Sequence, residues 1–338
     1  MSSPQHVLTA EHLRVGFRRR RRDPLFWALD DVSLAVPRGK THGLVGESGS
    51  GKSTLAKAAL GLLPVNEGRI RIADVEVTGT RSPDRRRLAR HMQAVFQDAT
   101  GSLNPSHTVG RSLAEPLLAQ GRHDRSEVAD AVRTGLERVG LDASAASRLP
   151  RHFSGGQRQR ICIARALMTE PELLVCDEAV SALDLSVRAQ VLNLLMDLQD
   201  ESGLSYLFIS HDMNVVERMC HDVTVLYRGQ VMETGPTSAV TKTPAHPYTR
   251  ALLLAAPVAD PTRQVARRQL AVSQATSAAP AVIDQAAGCP YAVRCPFARA
   301  ECATSRPTLR PVGSGVSVAC HRYPEWRTEA APINKEQS

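Results

Sequence analysis

The chain has 338 residues, of which 42 % are hydrophobic, and a formal net charge of +8. This length is enough for one large α/β domain with a smaller appended unit. No stretch approaches the roughly 18 consecutive apolar residues of a membrane span, and the first residues lack the charged and apolar segments of a secretion signal. We therefore expect a cytosolic chain whose seven cysteines are thiols or metal ligands rather than disulfides.

The positive charge is weak evidence for binding to nucleic acid. Much of the excess lies in Arg18 to Arg22, a basic run between two strand-like segments. Such a run is typical of a solvated loop, and contact with an anionic lipid surface or an acidic partner is the alternative. We expect no nucleic-acid partner.

Two strand-like segments open the chain, His6 to Phe17 and Trp27 to Val36. They predict an antiparallel β subdomain ahead of the central motif. Phe17 is a candidate platform for a purine base, because a flat aromatic ring gains contact area with any purine. Phe26 and Trp27 are alternatives, and a core aromatic at the end of a strand is an equally good interpretation of Phe17.

A glycine-rich loop then joins an apolar strand, Thr41 to Val45, to a segment with the composition of a helix. This is the P-loop pattern, in which backbone N–H groups and a helix N-terminus surround an anion. Lys52 is predicted to reach the β and γ phosphates of a nucleotide, and Ser53 to hold Mg²⁺. The predicted nucleotide-binding residues of the loop are Gly46, Glu47, Ser48, Gly49, Ser50, Gly51, Lys52, Ser53 and Thr54.

Gln97 directly follows the next strand-like run, Gln93 to Phe96. An amide at this position would place an uncharged side chain beside the metal and the attacking water. Residues from about 99 to 165 then favour helices, with glycines and prolines between them, and predict a helical insertion in the α/β frame.

A second anion-binding helix N-terminus is predicted at Ser154, Gly155 and Gly156, followed by Gln157. The chain thus carries two phosphate-binding elements about a hundred residues apart. A single nucleotide has only one γ-phosphate for them to share.

Four apolar residues run into two carboxylates at Leu173 to Glu178. This pattern predicts a buried parallel strand that ends at the phosphate edge of the sheet. Asp177 suits Mg²⁺ through water, and Glu178 suits the base that polarises the hydrolytic water.

Two further elements complete the nucleotide-binding part. Ser181 to Asp184 predicts a turn into a helix, and the apolar run Leu204 to Ile209 predicts a strand that ends beside His211. The imidazole at that strand end can donate a hydrogen bond to a γ-phosphate, although a capping histidine would suit the position as well. Tyr227 to Gly229 then separates two strand-like runs and indicates a hairpin.

The C-terminal part is different in composition. Residues 257–285 are rich in alanine with proline, serine and glutamine, which predicts a linker. Beyond it, five, six and seventeen residues separate four successive cysteines, Cys289, Cys295, Cys302 and Cys320. These intervals fit neither a paired C-x-x-C zinc ribbon nor a short ferredoxin run. The other three cysteines, Cys162, Cys176 and Cys220, lie in apolar contexts and are predicted to be core residues.

Taken in this order, the motifs resemble those of an ABC transporter ATPase subunit over roughly residues 6–256. Four segments narrow the resemblance to the ATP-binding subunits of bacterial oligopeptide and dipeptide importers: Gly46 to Gly51, Ser102 to Pro105, Phe153 to Arg160 and Thr243 to Thr249. It implies an α/β P-loop NTPase fold with an antiparallel β subdomain and a helical subdomain. The expected division is an ATPase domain at 1–256, the linker at 257–285 and a cysteine-containing extension at 286–338.

The resemblance also implies roles for residues. Glu178, His211 and Gln97 would be catalytic, with Mg²⁺ held through Ser53, Gln97 and Asp177. Because two such domains pair head to tail, Ser154 to Gln157 would form a signature motif that contacts ATP on the partner's P-loop, with Asp184 in a neighbouring D-loop. Ala179 and the segment Ala99 to Gly101 depart from the family pattern without removing a chemical group.

The resemblance implies partners as well. We expect a heterodimer with a second homologous ATPase subunit, two membrane permease subunits and, indirectly, a solute-binding protein. The chain would then lie peripherally at the cytoplasmic face of the membrane.

The tail resembles the C-terminal extension of peptide-importer ATPases, in which four such cysteines can bind a 4Fe-4S cluster. Zinc, with His321 as a competing ligand, and free thiols are the alternatives. With little apolar content, the tail would need such a staple in order to fold, and its expected role is structural docking.

Two other functions are considered. One is the import of nickel or another small solute by a related system, which the sequence does not distinguish from peptide import. The other is an ABC ATPase that acts on nucleic acid; it is disfavoured because this chain has one ATPase domain and no sustained heptads.

Overall fold

The computed structural model describes residues 5–18, 25–73, 75–78, 82–257, 260, 264–265, 267, 269 and 287–330. The chain forms two compact units, neither of them continuous in sequence. The first comprises Met1–Gly16, Ser33–His42 and Ser53–Ile209, and the second Phe17–Val32, Gly43–Lys52 and Ser210–Ser338. Almost all of the predicted linker and most of the basic run after Arg18 lie outside the described residues.

The twelve strands described are β1 (His6–Phe17), β2 (Phe26–Pro37), β3 (Thr41–Val45), β4 (Glu67–Ile72), β5 (Val75–Glu76), β6 (Met92–Phe96), β7 (Leu173–Asp177), β8 (Ser205–Ser210), β9 (Asp222–Tyr227), β10 (Gln230–Pro236), β11 (Arg310–Gly313) and β12 (Val316–Val318). The helices described are α1 (Lys52–Ala59), α2 (Ser82–His91), α3 (Ala99–Ser102), α4 (Val109–Ala119), α5 (Arg125–Arg138), α6 (Gly155–Leu167), α7 (Leu185–Ser202), α8 (Met213–Met219), α9 (Thr237–Lys242), α10 (Pro247–Ala255), α11 (Ala300–Thr304) and α12 (Trp326–Glu329). None of these helices combines the length and the apolar character needed to cross a bilayer.

The predicted antiparallel β subdomain is present in the first unit. β1 pairs with β4, and β4 pairs with β5, both in the antiparallel sense. The run from Gly68 to Val77 forms a hairpin of two strands, β4 and β5. The chain leaves β4 at Ala73, which has a left-handed backbone with φ of 51°.

The first unit also contains three neighbouring parallel strands of a second sheet, β6, β7 and β8. β7 lies between β6 and β8, with Asp177 opposite both Phe96 and Ile209. Leu173 to Cys176 are fully buried, because helices typically cover both faces of a parallel sheet. The register places Gln97 and Glu178, each one residue beyond its strand, at the same edge of the sheet.

The predicted helical insertion is confirmed by α3 to α6. α4 packs against α5 and α6 through buried leucine and isoleucine side chains, among them Leu113, Leu136 and Ile161. Helix α5 begins at a cap in which the Asp124 carboxylate accepts the N–H groups of Ser126 and Glu127. These contacts make the insertion a packed part of the first unit.

The second unit contains the predicted hairpin and joins it to the C-terminal extension. β9 and β10 pair antiparallel across a turn in which Arg228 and Gly229 both have positive φ, as a two-residue hairpin turn requires. β12 adds to the other side of β10, and β11 pairs with β12. The sequence predicts an appended module, whereas the structure gives it two strands of the sheet.

Trp326 anchors the end of the extension. Its side chain is 2 % exposed, and its indole N–H donates to the carbonyl of Ala245 at 2.9 Å. Its ring also lies 5.3 Å from that of Phe297, centroid to centroid. A large buried aromatic with a satisfied N–H is a strong packing contact, so the extension is held by burial as well as by strand pairing.

Candidate functional site

At two positions of the P-loop, both in the second unit, only glycine fits. Gly51 has φ of 108°, and a Cβ there would lie 2.6 Å from the carbonyl oxygen of Ala28. At Gly46 a Cβ would lie 2.2 Å from the carbonyl oxygen of Leu226. The loop is therefore wedged against neighbouring backbone, which fixes the direction of its N–H groups.

The polar groups inside the loop suit an anion. Lys52 is 5 % exposed, and its ammonium donates to the carbonyl oxygens of Gly46 and Glu47 at 2.8 and 2.9 Å. Within the described part of the chain, the buried hydroxyl of Ser50 has no hydrogen-bond partner. A buried cation beside an unsatisfied hydroxyl fits the phosphates of a nucleotide.

Phe17 belongs to the same unit as this loop and ends β1. Its side chain is 41 % exposed, which disfavours the interpretation as a core aromatic. Phe26 is 69 % exposed at the start of β2. The stacking role of Phe17 remains a prediction.

The first unit brings two oxygen ligands together. The hydroxyl of Ser53 donates to Asp177 Oδ1 at 3.4 Å. A hydroxyl and a carboxylate are the hard donors that Mg²⁺ prefers, so this pair fits the predicted metal. Thr54 follows in α1, and Gln97 is exposed at the neighbouring strand end.

Glu178 adopts a backbone conformation that the sequence does not reveal. Its φ is 51°, in the left-handed region that costs a non-glycine residue roughly 1–2 kcal/mol. The surrounding backbone holds it, since its N–H donates to Ile209 at 3.1 Å and its carbonyl accepts from Ser181. Strained residues concentrate at functional sites, which agrees with the catalytic role predicted for Glu178.

The residues after Gln97 form the short helix α3. The Asp98 carboxylate accepts the N–H groups of Thr100 and Gly101 at 2.9 and 3.0 Å and so caps α3. The segment that departs from the family pattern is therefore ordered by a cap of its own.

The second predicted anion site opens α6. Ser154 and Gln157 form a reciprocal capping box, in which each side chain accepts the other residue's backbone N–H. A Cβ on Gly155 would meet nothing within 4 Å, whereas one on Gly156 would lie 2.2 Å from Val187. Gly156 is thus required by internal packing, and Gly155 leaves open space at the helix end.

As expected, Asp184 lies at the start of a helix and His211 lies at the end of a strand. The Asp184 carboxylate caps α7 by accepting the N–H of Val187 at 2.9 Å. His211 is exposed directly after β8, and Asp212 caps α8. Their roles toward a nucleotide remain predictions.

Three tyrosines that the sequence analysis did not single out lie behind the P-loop. The rings of Tyr227, Tyr248 and Tyr291 are mutually in contact, with centroids 4.6 to 5.3 Å apart. Tyr248 accepts the backbone N–H of Glu47 on its hydroxyl at 2.8 Å. Only the tertiary fold reveals this contact, because Tyr248 is two hundred residues away in sequence.

The four C-terminal cysteines line a single pocket together with Tyr291, Phe297 and His321. Burial raises the pKa of the Cys289 thiol to about 11 and those of Cys295 and Cys320 to about 12. Among the described residues, no three histidine, cysteine or acidic side chains form a group that could hold a metal ion. The pocket thus collects the predicted ligands without arranging them around a metal.

His321 is less suited to compete as a ligand through Nε2. That nitrogen lies 2.9 Å from the carbonyl oxygen of Ser305, to which it donates. The remaining cysteines, Cys162, Cys176 and Cys220, are buried, which confirms the prediction that they are core residues.

Comparison with known proteins identifies two matching regions. Residues 29–181 match the family described as ABC transporter, and residues 232–302 match the oligopeptide/dipeptide transporter C-terminal region. The two regions cover the P-loop, the Asp177 strand and the first three cysteines of the extension.

Curated relatives match over most of the chain. A Brucella abortus protein named as a peptide import ATP-binding protein is 48 % identical over 297 residues, which is 88 % of this chain and 86 % of that protein. The glutathione import ATP-binding protein GsiA of Salmonella typhimurium is 51 % identical over 243 residues, 72 % of this chain and 39 % of that protein.

Solved structures support the same assignment. CbiO1 of Clostridium perfringens, part of the ABC transporter complex cbiONQ, superposes with a TM-score of 0.63 at 27 % identity, covering 70 % of this chain and 90 % of that one. An ATP-binding cassette in a post-hydrolysis state bound to ADP and Pi gives 0.61 at 25 % identity, covering 68 % and 98 %. The chain belongs to the ATP-binding subunits of ABC transporters, in the oligopeptide and dipeptide importer family.

Proposed function

We propose that this ATPase powers the import of peptides through separate membrane subunits. The observation that carries the proposal is that an ABC ATPase region and an oligopeptide/dipeptide transporter C-terminal region occur on one chain, with residues 43–52 of the first region in the same compact unit as the second region. The relatives named for peptide and glutathione import support the same solute class.

The chain's own residues supply the elements of phosphoryl transfer to water. Lys52 neutralises charge on the β and γ phosphates, and the P-loop N–H groups orient them. Glu178 polarises the attacking water, with Gln97 and His211 placing hydrogen bonds around it.

Ser53 and Asp177 are the residues that would hold Mg²⁺, the latter through water, with Gln97 completing the set. When bound, the ion offsets the charge that develops on the phosphate oxygens. The contact between Ser53 and Asp177 keeps these two oxygens close together in the first unit.

We also propose the assembly. Ser154 to Gln157 would contact ATP held by a second, homologous ATPase subunit, and the open space at Gly155 supports such an approach. The heterodimer would serve two permease subunits, fed by a solute-binding protein, and lie peripherally at the cytoplasmic face of the membrane. No nucleic-acid partner is proposed.

The test is peptide uptake into proteoliposomes that contain the assembled transporter and its solute-binding protein. ATP-dependent accumulation of a labelled di- or oligopeptide is expected, and it should stop when Glu178→Gln is introduced together with inactivation of the partner's site. Accumulation of nickel but not of peptide would contradict peptide import and would indicate the related importer of nickel or another small solute. ATPase stimulation by DNA or RNA, without uptake, would favour the nucleic-acid class.

For the extension we propose a 4Fe-4S cluster held by Cys289, Cys295, Cys302 and Cys320, with zinc as the alternative. Four thiols on one pocket give the required number and type of ligands. The raised pKa values of Cys289, Cys295 and Cys320 keep these three thiols protonated at neutral pH, so binding would release protons and require a local rearrangement.

Metal analysis of anaerobically purified protein decides between these alternatives. The cluster predicts brown protein with about four irons per chain, and a Cys302→Ser variant with markedly less iron. Colourless protein with one equivalent of zinc would establish the alternative, and protein free of both metals would leave the cysteines as thiols.

A further inference from the structure

The C-terminal extension acts on the P-loop at two separate points inside the second unit, by a direct contact at Glu47 and by an indirect one at Ser50. Arg294, on the short 3₁₀ turn Ala292–Arg294, donates from Nη1 to Glu47 Oε2 at 2.7 Å. Glu47 is the residue directly after Gly46, where the loop begins. An arginine from the extension therefore holds the first side chain of the nucleotide-binding loop.

The same residue is fixed from a second side. The Glu47 backbone N–H is taken by the hydroxyl of Tyr248, and the ring of Tyr248 packs on Tyr291 with centroids 5.2 Å apart. Tyr291 is three residues from Arg294. Backbone and side chain of Glu47 are thus both tied to one contiguous cluster, which leaves this end of the loop little freedom.

The second point lies at the other end of the loop. Arg306 donates from both terminal nitrogens to Asp30, at 2.5 Å to Oδ2 and 2.9 Å to the carbonyl oxygen. The Asp30 N–H donates to Gly229, and the Gly229 N–H donates to the carbonyl of Ser50, each at 2.8 Å. A chain of hydrogen bonds therefore runs from the extension to the P-loop backbone.

This chain of hydrogen bonds ends at Ser50, beside a closely packed part of the loop. Gly51, next to Ser50, is packed against the carbonyl of Ala28, and Gly229 lies against that same carbonyl. A shift of Asp30 would displace the strand β2 that carries Ala28 and Asp30 together. Arg306 therefore holds the P-loop indirectly, through the hydrogen bonds of Asp30 and through the packing of β2 against Gly51.

We propose that Arg294 and Arg306 are positioning residues for ATP, by which the C-terminal extension braces the P-loop at both ends in its nucleotide-binding shape. The extension is then a working part of the nucleotide site as well as a docked module. The brace acts on ground-state binding, so it should alter the affinity for ATP and leave the hydrolytic step unchanged.

The test compares Arg294→Gln, Arg306→Gln and Arg299→Gln in the full-length purified chain. Arg299 is the matched control, because it pairs with Glu329 inside the extension. Binding of a fluorescent ATP analogue and thermal unfolding are measured for each. We expect the dissociation constant to rise about two- to fivefold for Arg294→Gln and about tenfold for the bidentate Arg306→Gln, with the wild-type value for Arg299→Gln.

Two further measurements separate positioning from general loosening. Arg294→Lys keeps the charge and should recover part of the affinity, and Glu47→Gln combined with Arg294→Gln should be no weaker than the weaker of the two single variants. In the assembled ATPase the arginine variants should raise KM with kcat unchanged.

Unchanged affinity in either arginine variant would overturn the two-point brace. An equal loss in Arg299→Gln, or strictly additive effects of Glu47→Gln and Arg294→Gln, would also overturn it. These results do not depend on the transported solute, so failure of the brace is distinguishable from failure of the peptide-import proposal.

Discussion

Several residues for which we propose a chemical role also have a structural role in the local backbone. Glu178 follows β7 in a left-handed conformation held by Ile209 and Ser181, and Asp184 caps α7. The same holds for Ser154, whose hydroxyl caps α6. Substitutions at these positions must therefore preserve the backbone if they are to report on chemistry.

Replacing Glu178 by glutamine removes the proposed general base while keeping the size of the side chain. ATP binding should be retained, and hydrolysis by the assembled transporter should fall at least about a hundredfold, because a positioned general base typically contributes 10² to 10⁴ in rate. The partner's site must be inactivated so that its turnover does not mask the loss.

The comparison variant Lys52→Ala should fail earlier, at nucleotide binding, because it removes the buried ammonium. Nucleotide affinity and single-turnover hydrolysis are measured for both proteins. Near-normal turnover of Glu178→Gln would show that another group activates the water.

Glu233 is a buried carboxylate with no role in the chemistry above. Burial raises its pKa to about 7, although Thr249 and the N–H groups of Ala245 and His246 oppose the rise. The native state therefore binds more protons than the unfolded chain between the ordinary pKa of 4.5 and 7. The stability this group contributes is present at low pH and is lost as the pH rises through 7.

Glu233→Gln should remove this decrease in the free energy of unfolding with rising pH. The free energy of unfolding of the wild type relative to the variant should fall by up to about 3 kcal/mol between pH 4.5 and 7.5. Burial lowers the pKa of His246 to about 3, which gives the wild type an opposing slope, so the difference between the two proteins must be measured. Glu217→Gln, which replaces an exposed carboxylate on α8, is the control for the loss of a charge. If the free energy of unfolding changed with pH in the same way in the wild type and in Glu233→Gln, the raised pKa of Glu233 would be contradicted.

At the scale of elements, β12 and α12 join the C-terminal extension to the second unit by two different means. β12 extends the β9–β10 hairpin, and Trp326 at the start of α12 is buried with its indole N–H satisfied by Ala245. The burial of one large aromatic outweighs a two-residue strand pairing, so the Trp326 contact should dominate the attachment.

Trp326→Ala should lower the free energy of unfolding by about 3–5 kcal/mol, the usual cost of deleting a large buried aromatic. Phe26→Ala is the matched control, because it also removes an aromatic ring but one that is 69 % exposed. Urea unfolding of the two proteins is compared. A loss for Trp326→Ala no larger than that for Phe26→Ala would mean that strand pairing alone holds the extension.

The nucleotide-binding elements could be predicted because their signals are local. A P-loop, a buried strand ending in Asp177 and Glu178, and a serine before two glycines are each read within ten residues. The contacts of Tyr248, Arg294 and Arg306 could not be predicted, since each joins residues about two hundred or more positions apart. The strand pairing of the extension could not be predicted either, because β12 has only three residues, too few for their alternation to indicate a strand.

At the scale of the whole molecule, the open position at Gly155 bears on assembly. A Cβ there meets nothing within 4 Å, and the neighbouring Ser154 is exposed, so an aspartate side chain fits the isolated chain without strain. If the signature motif contacts ATP on a partner's P-loop, that carboxylate would face phosphates only in the assembled pair.

Gly155→Asp should therefore bind ATP like the wild type as an isolated chain and yet abolish stimulation of the partner's ATPase site in the complete transporter. Ser144→Asp adds the same charge at another exposed position of the helical insertion and should leave stimulation intact. Nucleotide affinity of the single chain and ATPase activity of the co-purified complex are the two measurements. A fully active complex that contains only identical ATPase copies would contradict the proposed heterodimer. Full stimulation with Gly155→Asp would contradict the proposed contact between the signature motif and the partner's ATP, because a carboxylate close to a γ-phosphate must repel it in whichever site the motif completes.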